Sequence, residues 1–268
     1  MFYGRERLTA ELAVKLAAQM TSRGLVVVTG ASGAGKSSLL RAGLLPKLAQ
    51  GQQVAGSEHW PRIAITPTKD PLNELAVHLA ALGGSEPLAV RDALAQRPGQ
   101  AHLTAWSAVL GRRDDRRLAP GDSAARLVLI VDQFEQVFTL NPGPGGEAER
   151  QAFITALCAM ATNPVGPRQE APGLVVIAVR GDFWDRCAAY PELARALQEG
   201  QFVVGPMTES DLRLANSELR RMHSDCEPPG SRCDVISRER SLTPLVKLAI
   251  RCESERVGWN RNSALDRF

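Results

Sequence analysis

No apolar run in the 268-residue chain reaches the roughly 18 residues that a membrane-spanning helix needs. The first residues, "MFYGRERLTAEL", also lack the charged-then-apolar layout of a signal peptide. A soluble cytoplasmic protein with no membrane partner is therefore expected. Cysteine is scarce and odd in number: Cys158, Cys187, Cys226, Cys233 and Cys252 form no regular framework, which points to reduced thiols. Cys226 and Cys233 have only His223 close by, too few ligands for a zinc site. An excess of one charge sign is missing as well. The 32 basic and 29 acidic side chains leave +3, with "DDRR" and "RERS" in separate loops, which is no nucleic-acid footprint. No repeat with a period of roughly 40 residues is found, so the chain carries no WD40-type array. What remains is a globular sequence, 44% hydrophobic and long enough to bury a full core in one or two domains.

The most informative stretch is "GLVVVTGASGAGKSSLLRAGLL", residues 24 to 45. It fits Gly-x-x-x-x-Gly-Lys-Ser at Gly30, Gly35, Lys36 and Ser37. Leu25 to Thr29 reads as a strand buried on both faces, and Ser37 to Leu48 as a helix. In that context the backbone N–H groups of residues 33 to 37 (Gly33, Ala34, Gly35, Lys36, Ser37) would point at a β-phosphate, helped by the positive end of the helix. Lys36 would reach the β- and γ-phosphates, and the Ser37 hydroxyl would ligate Mg²⁺. Ser32 lies within the loop and Ser38 follows on the helix.

The rest alternates between strand and helix. Leu8, Leu12 and Leu16, widened by Ala13, Ala17 and Met20, predict an amphipathic helix over 5–20. A second strand is predicted near 62–66. The helix after it has Asp70 as N-cap, Pro71 at its first position and Leu72, Leu75, Leu79 and Leu82 as its buried stripe. "EPLAVRDALAQ" and residues 102–111 predict two further helices, and "RRDDRRLAPGDSA" a solvated loop. "NPGPGG" at 141–146 reads as a loop before a helix over 147–162. A strand ending in Arg180 and another over 202–205 complete the sheet, and Thr208 with Asp211 forms a capping-box pattern. Five strands alternating with helices predict a three-layer α/β domain with a parallel sheet.

The strand Leu127 to Val131 delivers Asp132 to its C-terminal end, where ligands bind in open α/β sheets. This is the Walker B arrangement, with Asp132 holding Mg²⁺ through its water shell. Glu135, three residues on, is the candidate to polarise the attacking water; Gln133 stands where an Asp-Glu pair would put its glutamate. The alternative role for Glu135 is a carboxylate that orders the loop or starts a helix. Arg180 is the candidate γ-phosphate sensor, the bland alternative being a salt bridge at the sheet edge.

"FYGRE", "VVVTGASGAGKSSLLRAGLLPKL", "DPLNELA", "LVLIVDQFEQVFTL", "VVIAVRGDFWDRCAAYPELA" and "VVGPMT" resemble, in order, the N-terminal part of the novel STAND NTPase 1 family. The resemblance covers roughly residues 2 to 215 and implies a bacterial signal-transduction ATPase, with WD40 repeats following the module in many members. It implies an ADP-bound resting form that exchanges to an ATP-bound form, assembles with itself or a protein partner, and is reset by slow hydrolysis. Gly4, Arg5 and Glu6 match the segment that packs near adenine, Asp132 and Glu135 match Walker B, and Arg180 matches the sensor arginine. The sheet would follow the additional-strand P-loop class. Residues 216–268 depart from the family pattern, with no Gly-x-Pro element and only weak periodicity, and are expected to be a divergent, truncated or frameshifted tail in which Val246 to Ile250 could form a short helix.

Four other readings compete. A small-molecule kinase would need an acceptor pocket and an arginine-bearing lid. A DNA-directed ATPase would need a basic groove. A transporter ATPase would carry an "LSGGQ"-like signature, which is absent. A nucleotide-binding remnant without turnover is the remaining alternative, and adenine is preferred to guanine on the resemblance, in the absence of Asn-Lys-x-Asp.

Overall fold

Short, mostly apolar segments make the strands of a five-stranded sheet. In the computed structural model the described residues are 4–209 apart from 23, 52–53, 55, 112–124 and 168, together with 211, 213–214 and 217. All belong to the unit Met1–Arg221. The loop at 112–124, Cys226, Cys233, Cys252, His223 and the helix expected at 246–250 lie outside them.

The strands are β1 (Val26–Gly30), β2 (Arg62–Ile65), β3 (Leu127–Val131), β4 (Gly173–Arg180) and β5 (Gln201–Val203). Their order is β2-β3-β4-β1-β5, and every neighbouring pair is parallel. All five residues of β3 are buried, as are all of β4 except Arg180, which explains why neither strand shows polar alternation. β4 lies between β1 and β3, the additional-strand arrangement, and its register sets Gly30 opposite Arg180 and Val131 opposite Ile177. The ends of the three central strands therefore share one rim.

Helix α1 (Glu6–Ser22) buries Leu12, Ala13 and Leu16 and packs on the helical run that follows the glycine loop. That run is continuous: α2 (Lys36–Ser38), a π-helical stretch Leu39–Leu44, and α3 (Leu45–Ala49). The π stretch, unforeseen in the sequence, carries Arg41. Helix α4 (Pro71–Gly83) starts as expected, with Asn73 N–H donating to Asp70 Oδ1 at 2.8 Å. Helices α5 (Pro87–Gln96) and α6 (Ala101–Gly111) pack with α4, and α7 (Gln136–Thr139) follows the strand-end aspartate.

Several boundaries differ from expectation by one to three residues, among them these two. Helix α8 (Pro144–Thr162) begins inside the stretch read as a loop, because a proline at the first helical turn forgoes an N–H that would lack an intrahelical partner anyway. β5 is shifted one residue earlier and ends at Val203. Val204 N–H still donates to Thr29 O at 2.7 Å as the chain leaves the sheet. Between β4 and β5 a 3₁₀ turn, Gly181–Phe183, leads into α9 (Trp184–Ala188) and α10 (Pro191–Gly200). Beyond β5 the capping box forms: Thr208 N–H donates to Asp211 Oδ2 at 2.9 Å, and Asp211 N–H to Thr208 Oγ1 at 3.2 Å.

Candidate nucleotide site

The glycine loop joins β1 to α2 and is shaped by two left-handed residues, Gly33 at φ +77° and Gly35 at φ +84°. A Cβ on either would meet nothing within 4 Å, so the loop faces open space there. Gly30 is the opposite case. Its Cβ would lie 2.4 Å from the Val204 carbonyl oxygen, so glycine is demanded by the chain leaving β5. Ala34 is buried, and Ser32 is exposed on the loop.

Lys36 is 9% exposed and bends back over the loop, where Nζ donates to Gly30 O at 2.8 Å and to Ala31 O at 2.9 Å. Burial lowers its pKa; the Glu135 and Asp132 carboxylates oppose that shift. One residue on, Ser37 Oγ donates to Asp132 Oδ1 at 2.9 Å, so the side chains expected at the metal meet. The Gln133 N–H also donates to Oδ1, at 3.0 Å.

The turn after Asp132 explains why Gln133 can stand beside it. Gln133 takes the left-handed conformation at φ +54°, which swings the chain across so that Phe134 N–H donates to Ala178 O of β4 at 2.8 Å. Phe134 is fully buried, stacked on Phe153 at 6.4 Å and edge-on to Phe138 at 5.8 Å. This anchor presents Glu135 at the start of α7, with Oε2 accepting the Arg180 N–H at 3.3 Å. The glutamate thus reaches the strand-end rim from a position two residues later than that of an Asp-Glu pair.

The Arg180 guanidinium is engaged elsewhere. Nε and Nη2 donate to the two Asp182 oxygens at 3.0 and 2.7 Å, and the group lies over Phe183 at 5.6 Å. Its backbone meets the site while its side chain pairs two residues downstream.

Gly4 and Arg5 lie next to β5's exit. Gly4, at φ +84°, donates its N–H to Glu6 Oε1 at 3.1 Å. Arg5 is 5% exposed, and Nη2 donates to Gly205 O at 2.9 Å. Burial lowers its pKa against the pull of Asp211. Its Nε, also buried, has no hydrogen-bond partner among the described residues. Ser38 sits on the first turn of the helical run without capping it.

Sequence reasoning missed one residue here. Arg41 Nε donates to Asp132 Oδ2 at 3.2 Å and Nη2 to Thr66 Oγ1 at 3.1 Å. The available signal was its position four residues after Ser37, one turn along the same helix face.

The donor set fits a nucleotide's phosphates with Mg²⁺. Open left-handed glycines and the first N–H groups of a helix suit an anion, and a hydroxyl beside a carboxylate supplies the hard oxygens Mg²⁺ takes. Parallel sheet, inserted β4 and glycine loop together define a P-loop NTPase of the additional-strand class. Comparison with known proteins narrows the class: residues 1–223 match the family model described as Novel STAND NTPase 1, and the chain belongs to that family. It is accordingly a nucleotide-binding NTPase by family. No curated protein matches. Among solved structures, a chain in the structure of Drosophila ORC bound to DNA aligns at 15% identity and a TM-score of 0.49 over 87% of this chain. This chain spans 47% of that one. No helix among the described residues is long and apolar enough to cross a membrane.

Proposed function

We propose that the chain is a Mg-ATP/ADP-binding switch module of the STAND signal-transduction type, with slow ATP hydrolysis. The observation that carries this reading is the contact between Ser37 Oγ and Asp132 Oδ1 at 2.9 Å, one residue from a lysine folded over the glycine loop. Magnesium, when bound, would supply positive charge to the phosphates, held by Ser37 and Asp132. Lys36 exchanges the Gly30 and Ala31 carbonyls for phosphate oxygens. The N–H groups from Gly33 to Ser37 hold the β-phosphate, with Ser32 and Ser38 flanking them, and Gly4 and Arg5 edge the adenine.

Glu135 accepts the proton of the attacking water, a task its carboxylate can perform and the neighbouring Gln133 amide cannot. Arg180 would leave Asp182 to meet the γ-phosphate. The switch occupies residues 1–215, followed by a divergent tail at 216–268. It works in the cytoplasm, and its ATP form binds a second copy or a protein partner, without nucleic acid.

A second reading, nucleotide binding without turnover, is favoured by the doubly bonded Arg180–Asp182 pair. Calorimetric titration of Mg-ATP and Mg-ADP into the whole chain and into Lys36→Ala, with free phosphate followed in parallel, separates the two. A ligand at about 100 times its dissociation constant adds about 2.7 kcal/mol of stability, so thermal unfolding corroborates binding. Binding lost in Lys36→Ala with slow phosphate release supports the switch; binding without release supports the second reading. Absence of binding to the intact chain overturns both.

A further inference from the structure

The two oxygens of the Asp132 carboxylate are served by different partners. Oδ1 accepts from Ser37 Oγ and from the Gln133 N–H, whereas Oδ2 accepts from Arg41 Nε at 3.2 Å. The aspartate is 3% exposed, and Arg41 is the cation in salt-bridge contact with it among the described residues. A buried carboxylate stripped of its counter-charge is costly, and the guanidinium balances Asp132. Arg41 is anchored at both ends, because Nη2 bonds Thr66 Oγ1 just past β2. Its side chain is 47% exposed and can swing into water without unpacking the core.

We propose that Arg41 is a positioning residue that serves as the internal counter-ion of Asp132 and competes with Mg²⁺ for it, moored by Thr66. The inference rests on the nucleotide-binding reading above. A fixed cation beside the carboxylate repels an incoming divalent ion, and Arg41 must yield Oδ2 before the aspartate can serve that ion or its water shell. Arg41 thereby raises the magnesium concentration at which nucleotide loads. It also ties loading to a loosened contact at the end of β2, since release of Asp132 frees the guanidinium that Thr66 holds.

The test is a Mg²⁺ titration at fixed ADP, read by calorimetry on the whole chain and on Arg41→Gln, Arg41→Lys and Thr66→Val. The midpoint in Arg41→Gln is expected to fall about fivefold, the strength of a half-exposed ion pair. Arg41→Lys, which keeps the charge, is expected to retain the wild-type midpoint, and Thr66→Val to lower it by less than Arg41→Gln. An unchanged or raised midpoint in Arg41→Gln, with the wild type binding Mg-ADP, overturns this inference alone. Should Arg41→Gln not fold, Thr66→Val decides by the same criterion. If the wild type binds no ADP at any magnesium concentration, the nucleotide reading falls and this inference with it.

Discussion

The backbone N–H of Arg180, at the tip of β4, donates to Glu135 Oε2 at 3.3 Å. The bond holds the glutamate by one oxygen at the rim where β1 and β3 also end. In Glu135→Gln the amide oxygen can still accept from Arg180, so the local geometry survives while the proton acceptor is lost. Phosphate release is expected to fall by about 10²- to 10⁴-fold with ADP binding retained, measured by steady-state phosphate assay and calorimetry. Loss of binding together with turnover would instead assign Glu135 to ordering the loop.

Gly30 and Gly33 belong to one motif but answer to different forces. In Gly30→Ala the new methyl would lie 2.4 Å from the Val204 carbonyl oxygen. That backbone is pinned by the 2.7 Å bond from Val204 N–H to Thr29 O. Urea unfolding should show a loss of about 1–3 kcal/mol for Gly30→Ala, the usual range for overpacking. Gly33→Ala meets no atom within 4 Å, so its expected cost is the left-handed backbone alone, about 1–2 kcal/mol. The discriminating readout is repair: Val204→Ala cannot relieve a clash with a carbonyl, so the double variant Gly30→Ala/Val204→Ala should remain destabilised. Recovery in that double variant would show that side-chain packing, not backbone approach, demands the glycine.

Glu149 faces Asp70, which pairs with Arg91 at 3.0 Å. Burial, reinforced by Asp70, pushes the Glu149 carboxyl from 4.5 up to about 7. For Asp70 burial acts upward too, but hydrogen bonds from Glu149, the Asn73 amide and Arg91 outweigh it and lower the pKa. The two contributions have opposite signs. Glu149 binds its proton more tightly in the folded chain, so its stabilisation is complete below 4.5 and is lost as pH rises through about 7. The Asp70 contribution is present above its unfolded value of 3.8 and is lost on acidification. Between pH 4.5 and about 7 the Glu149 contribution alone changes. Glu149→Gln, whose amide donates to Asp70 at every pH, is expected to flatten the decline in urea midpoint across that window. Equal slopes for wild type and variant would remove the shared proton as its source.

Much of the fold was legible because its signals are local. The apolar run Leu127 to Val131 is a strand at the expected residues, and Asp70 caps α4 three residues from the amide it accepts. The Thr208–Asp211 box closes in the same way. Each rests on spacings of two to four residues, which periodicity and capping chemistry read directly. The boundaries misread at α8 and β5 lie where proline and glycine crowd together or where the chain leaves an edge strand.

The motif residues themselves, from Gly30 to Ser37 with Asp132 and Glu135, were determined by the sequence, since a phosphate-shaped loop needs glycines, a lysine and a hydroxyl in a fixed order. Only the tertiary structure decided which partners they keep. The parallel order β2-β3-β4-β1-β5 brings Asp132 against Ser37 and Arg41, 95 and 91 residues away, and Glu135 against an amide 45 residues on. It also sets Val204 under Gly30, which turns a motif glycine into a steric necessity. Strand neighbours are chosen by burial of whole sheet faces, a property of the assembled core that no window of adjacent residues contains.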